Sequence, residues 1–170
     1  EGSFSAFSFA APEQPDLPIE KVYEENKKDG EWGLITAQSA AQALLAFRVL
    51  EIGPGDEVWV PSFTFIASIA PAVQLGAMPR FLDVCPASWT LDAALLAAEL
   101  RQAARQGRLP KAVVAVDIYG QCAALHEIAP LCAQYGVALI SDSAEGLGAT
   151  QAGLPAGKGA VLAAFSFNGN

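Results

Sequence analysis

Residues 112–145 read AVVAVDIYGQCAALHEIAPLCAQYGVALISDSAE. Ala112 to Val116 and Val137 to Ile140 are short, continuously apolar runs, the pattern of strands buried on both faces of a sheet. Between them Leu125, Ile128, Ala129 and Cys132 recur at spacings of three, four and seven, which is one face of a helix, and Gly136 stands where that helix should end. Strand, helix and strand in one short stretch is the repeating unit of an α/β domain with a largely parallel sheet.

The same alternation extends outward. Further apolar runs lie at Glu57-Val58-Trp59-Val60, Arg80-Phe81-Leu82-Asp83 and Leu162 to Phe167. Ala40 to Leu50 reads as a helix of good formers, stopped by Gly53-Pro54-Gly55. Asp92 is placed to cap a helix whose Ala93, Leu96, Leu100 and Ala104 share one face, ending at Gly107. Thr64 to Leu75 reads as helical, with Pro71 distorting it or falling near its start. Residues 1 to 32, with Pro12, Pro15 and Pro18 before a charged segment, read as an extended arm, and residues 33–170 as one domain without internal repeats.

Composition narrows the class. The 170 residues are 52% hydrophobic and 16% charged, enough to bury a real core. A net charge of −8 argues against nucleic acid as a partner, since phosphate backbones need clustered cations. No apolar run approaches the roughly 20 residues that span a bilayer, so no membrane partner is expected and a cytoplasmic location is. Cys85, Cys122 and Cys132 have neither CxxC spacing nor an even count, and read as buried thiols in a reducing compartment.

In an open parallel sheet, ligands gather at the carboxyl ends of the strands, where helix N-termini present unsatisfied N–H groups. The polar segments of this chain fall there: Gln38-Ser39, Pro61 to Phe65, Asp117 to Gln121, and Ser141 to Glu145. Neither GxGxxG nor a Walker A sequence occurs, which removes the usual dinucleotide and nucleotide folds. His126, the single histidine, has no Ser or Cys arrangement that would make a hydrolase triad. Gly153 to Gly159 reads as a surface hairpin or loop.

In this order, Gly53-Pro54-Gly55-Asp56-Glu57-Val58, Pro61-Ser62-Phe63-Thr64-Phe65, Leu75-Gly76-Ala77-Met78-Pro79, Tyr119-Gly120-Gln121, Asp142-Ser143-Ala144-Glu145-Gly146-Leu147-Gly148 and Phe165 to Asn170 resemble the DegT/DnrJ/EryC1/StrS sugar aminotransferases over residues 39–170. The resemblance implies a three-layer α/β/α, fold type I large domain, present in part, and pyridoxal 5'-phosphate as cofactor. It implies that Asp142 pairs with the pyridine nitrogen, where an anion keeps the ring an electron sink. Phe65 would stack on the ring. Ser166 would donate to the phosphate, opposite the amides of Ser39 and Ala40 at a helix start, and Glu145 would lie near the ring hydroxyl or the reacting groups. Read without the resemblance, Asp142 caps the turn at Ala144, Phe65 is core, and Gln38-Ser39 is a helix cap.

Two departures stand out. Gln38-Ser39-Ala40-Ala41 occupies the place of a usual Ser-Gly-Thr-Ala, and Asp117 that of a usual histidine. The Schiff-base lysine of such enzymes falls five residues after the serine matched by Ser166, one position beyond Asn170, so no catalytic residue is assigned within the chain and these 170 residues alone are expected to be inactive. For the whole protein the resemblance implies transfer of an amino group from an amino acid, glutamate in many relatives, to a keto nucleotide sugar, in a homodimer. The alternatives are a pyridoxal phosphate-dependent sugar dehydratase, with histidine for lysine, and a truncated, non-catalytic binding module.

Overall fold

The structure, a computed structural model, describes residues 39–166. The arm expected over residues 1–32, Gln38, and Phe167 to Asn170 lie outside the described residues. In chain order the elements are α1 (Ser39–Val49), β1 (Glu57–Pro61), a 3-10 turn (Ile66–Ser68), α2 (Ala70–Gln74), β2 (Met78–Leu82), α3 (Ala93–Gln106), β3 (Ala112–Val116), α4 (Leu125–Tyr135), β4 (Ala138–Asp142), β5 (Thr150–Gln151), β6 (Leu154–Pro155) and β7 (Leu162–Ala164).

Five strands form one parallel sheet in the order β2-β1-β3-β4-β7. Alternation along the strands sorts their side chains into two cores. On one face Trp59, Val113, Ala115 and Leu139 pack against Leu96, Leu100, Ile128 and Cys132 of α3 and α4. On the other, Val58, Val60, Val114, Val116 and Ile140 pack against Ala46 and Phe47 of α1 and Ala72 of α2. The result is the expected α/β/α sandwich, with β3 buried along its whole length.

The helix ends follow local chemistry. Asp92 caps α3, its carboxylate accepting from Ala94 N at 2.8 Å and Leu95 N at 3.0 Å. Gly107 and Gly136 close α3 and α4 in the left-handed region, with paired bonds back to the last turn. α1 differs from expectation: it stops at Val49, before the Gly53-Pro54-Gly55 segment. Glu51 takes the left-handed position at φ 52°, with Ile52 N bonded to Phe47 O at 2.9 Å.

Four other expectations are corrected. The Thr64 to Leu75 helix is divided at Ile69 (φ −131°, ψ −26°) into the 3-10 turn and the short α2, with Pro71 in the first turn of α2, where its missing N–H costs nothing. The buried face of α3 ends on Ala103, not Ala104. β2 is an edge strand with Met78 and Phe81 exposed, so its two faces are not both covered. Cys85 is only half-buried, unlike Cys122 and Cys132. The glycine-rich segment is a loop carrying one arm of a small hairpin, β5 paired with β6 across Ala152-Gly153, both at positive φ.

Candidate functional site

Asp142 is the last residue of β4, in register with Val116 on one side and Ala164 on the other. Its strand end therefore sits among the loops that follow β3 and β7. Its carboxylate is held from two directions. Oδ2 accepts from Ser68 Oγ at 2.6 Å, and Oδ1 accepts from Ala144 N at 3.2 Å. The turn-capping reading of Asp142 is thus correct as far as it goes, but it uses only part of the acceptor capacity of a carboxylate.

Ser68 was not singled out by the sequence, and it is the residue that ties the β1 loop to this site. It is buried, and its single proton is committed to Asp142, so Thr64 Oγ1, 2.8 Å away, donates to it. The signal available was the Thr64 to Ser68 spacing in the polar run after β1, but a partner 74 residues distant was not legible. The same turn carries Phe65, whose carbonyl accepts from Ser68 N at 3.1 Å. Phe65 is 71% exposed, which removes the core reading and leaves its ring free to meet a ligand.

Ser166 follows β7 by two residues and is half-buried, beyond the Ala164 that aligns with Asp142. Gly157 underlies that strand end: a Cβ there would stand 2.7 Å from Ala163 Cβ and 3.2 Å from the Phe165 ring. Ser39 and Ala40 open α1, which packs against β7 and the 3-10 turn, so a helix N-terminus belongs to the same group of elements. Helix starts of this kind leave backbone N–H groups available to an anion.

Glu145 lies in the turn after β4, exposed, with its carboxylate accepting from Tyr119 N. It therefore bridges the loops after β3 and β4. Asp117, where a histidine was the usual residue, is 1% exposed. Burial pushes its carboxyl above the usual range, while the bond from Ala123 N and the nearby Ser143 hydroxyl oppose the shift and Asp142 adds like-charge repulsion. Nearby, Phe63 makes edge-on contacts with Trp89, centroids 5.4 Å apart, and Tyr119, 6.5 Å apart, an exposed aromatic rim of which Trp89 lies outside the segments quoted from the sequence.

Burial raises the thiol of Cys132 to about 12, and that of Cys122 is raised as well, whereas backbone N–H groups of Ala87 and Ser88 lower that of Cys85. His126 is exposed beside Glu127, at 3.4 Å. Among the described residues no helix is long and apolar enough to cross a membrane.

Comparison with known proteins gives a consistent result. Residues 29–170 match the family model described as the DegT/DnrJ/EryC1/StrS aminotransferase family. The chain is 45% identical over 126 residues to EpsN of Bacillus subtilis (strain 168), which carries the name of a pyridoxal phosphate-dependent aminotransferase; the match covers 74% of this chain and 32% of that protein. It is 36% identical over 118 residues to the UDP-2-acetamido-2-deoxy-3-oxo-D-glucuronate aminotransferase of Pseudomonas aeruginosa, covering 69% and 31%. The crystal structure of 3-amino-5-hydroxybenzoic acid synthase superposes with a TM-score of 0.68 at 35% identity, over 76% of this chain and 32% of that one. The chain spans about a third of the length of the curated relatives it matches.

Proposed function

The chain belongs to the DegT/DnrJ/EryC1/StrS aminotransferase family, whose members depend on pyridoxal phosphate, and on that premise we propose that the intact protein transfers an amino group from an amino acid, glutamate, to a keto sugar carried on a nucleotide. Relatives named for aminotransfer to UDP-linked sugars support the substrate class. The three free cysteines suit a reducing, cytoplasmic setting. A homodimer is part of this reading.

The observation that carries it is the pairing of a doubly held Asp142 carboxylate with the exposed Phe65 on the turn that holds it. The donor set fits the cofactor. Asp142 keeps acceptor capacity for a pyridine N–H, Phe65 offers an aromatic face, Ser166 a hydroxyl, and Ser39 and Ala40 the amides of a helix start. Bound pyridoxal phosphate supplies an electron sink and an amino carrier. Asp142 holds the proton on the pyridine nitrogen, and Ser68 fixes the carboxylate in position for that task. Glu145 would lie near the ring hydroxyl or the reacting groups.

The test is reconstitution of the intact protein with pyridoxal phosphate, followed by glutamate and then a 4-keto nucleotide sugar. A visible absorbance band that glutamate bleaches and the keto sugar restores, with an amino sugar as product, is the expected outcome. A protein that forms no band, or whose band is indifferent to every amino donor, overturns the proposal.

A further inference from the structure

We propose that Asp117 is a positioning residue for this site: its carboxyl is wedged between the loops after β3 and β4 and fixes where Glu145 and Asp142 sit. The inference rests on the cofactor reading for its consequence and on geometry for its substance. Asp117 follows β3 directly, and its backbone N–H donates to Asp142 O at 2.9 Å, so the two aspartates share the end of one ladder.

Each carboxyl oxygen meets a different loop. Oδ1 accepts from Ala123 N at 2.7 Å, drawing the exit of the β3 loop back to its start. Within that loop Ile118 and Gln121 exchange backbone bonds of 3.1 and 2.8 Å, which leaves Tyr119 at φ 50° on the tip. Oδ2 lies against Gly146, where a Cβ would stand 2.5 Å from it and 3.2 Å from Asp117 Cβ. Gly146 N in turn closes on Ser143 O at 2.9 Å, forming the turn that presents Glu145 to Tyr119 N. The carboxyl therefore sets the spacing between the two loops, and the Tyr119 to Glu145 bond reads that spacing out.

Among the described residues Oδ2 has no hydrogen-bond partner. A buried polar atom without a partner is costly, and an apolar side chain at 117 would avoid that cost while releasing Ala123 N. The groups facing the carboxyl are Asp142 and Ser143 from β4 and the turn after it, and Cys122 from its own loop.

The experiment measures amide exchange in the intact protein, with and without pyridoxal phosphate, for Asp117→Ala, Asp117→Asn, Gly146→Ala and the Gly146→Ala/Asp117→Ala double variant. The Tyr119 amide does not touch Asp117, yet Asp117→Ala should speed its exchange by about tenfold while Phe47 in α1 holds its rate. Asp117→Asn keeps the acceptor for Ala123 and should stay within about twofold of wild type. Gly146→Ala should disturb Tyr119 as Asp117→Ala does, and the double variant should recover part of the loss. The pH midpoint of the cofactor band should move further in Asp117→Ala than in Asp117→Asn, since both remove the charge beside Asp142 and only the first also releases Ala123 N. An unchanged Tyr119 rate in both Asp117→Ala and Gly146→Ala overturns the proposal; should Asp117→Ala not fold, Gly146→Ala decides. A wild-type protein without a cofactor band defeats the cofactor reading alone, and Tyr119 exchange still settles the role of Asp117.

Discussion

Ser68 Oγ donates to Asp142 Oδ2 across 2.6 Å and 74 residues of sequence, joining the 3-10 turn after β1 to the end of β4. The bond places the exposed ring of Phe65 and the carboxylate of Asp142 on one short tether. It also orders Thr64, which has Ser68 as its nearest side-chain partner.

Ser68→Ala removes a hydrogen bond to a charged group at a buried position, a loss of about 1.5–3 kcal/mol. Because the bond fixes the carboxylate that meets the cofactor, pyridoxal phosphate affinity should fall by about tenfold or more. Titration of the visible band in the intact protein gives the dissociation constant. Ser68→Thr, which keeps the hydroxyl, should lose less.

Asp142→Asn preserves shape and removes the charge. The variant should still take up the cofactor through Phe65, Ser166 and the start of α1, while amino transfer slows by on the order of 10²–10³, the scale of losing one preorganised electrostatic partner. Single-turnover bleaching of the band by glutamate separates the two effects. Equal rates in variant and wild type would show that Asp142 does not serve the ring nitrogen.

The layers were legible because β3 and the Val137 to Ile140 run leading into β4 are continuously apolar and α4 keeps its three-four-seven spacing, both local signals. The β2 edge was not, since edge position depends on strand order, and Met78 and Phe81 look like core residues until the order is known. The break at Ile69 falls two residues before Pro71, the residue expected to distort that segment, whereas the left-handed Glu51 is a conformation that its residue type does not announce. At the site, Asp142 and Phe65 stood out in sequence, whereas Ser68 acquires meaning only through a partner far along the chain.

Asp117 gives a stability signature with a defined sign. Its carboxyl is raised above the ordinary 3.8 in the folded protein, mainly by burial, so folding binds its proton more tightly than the unfolded chain does. Its contribution is fully present below 3.8 and is lost as pH rises through the higher folded value. Asp117→Asn cannot ionise and lacks that loss. The melting temperature of the variant relative to wild type should therefore climb as pH is raised from acid to neutral, and a gap that stays flat across that range would remove the argument.

Gly157 supports the strand end that leads to Ser166. Its φ of +77° is one that L side chains rarely adopt, and a Cβ would overlap Ala163 Cβ at 2.7 Å and press on the Phe165 ring at 3.2 Å. Backbone strain and overpacking together put the cost of Gly157→Ala at about 1–3 kcal/mol or more. The damage should be directional. Ala163 and Phe165 belong to the β7 end, so the displaced segment is the one that carries Ser166, while the Ser68 bond to Asp142 involves none of Gly157, Ala163 and Phe165 and should survive. Thermal unfolding of the intact protein should show the lost stability, and cofactor affinity should fall further than stability alone predicts. Inorganic phosphate competing with pyridoxal phosphate equally well in variant and wild type would show that the β7 end contributes nothing to holding the phosphate.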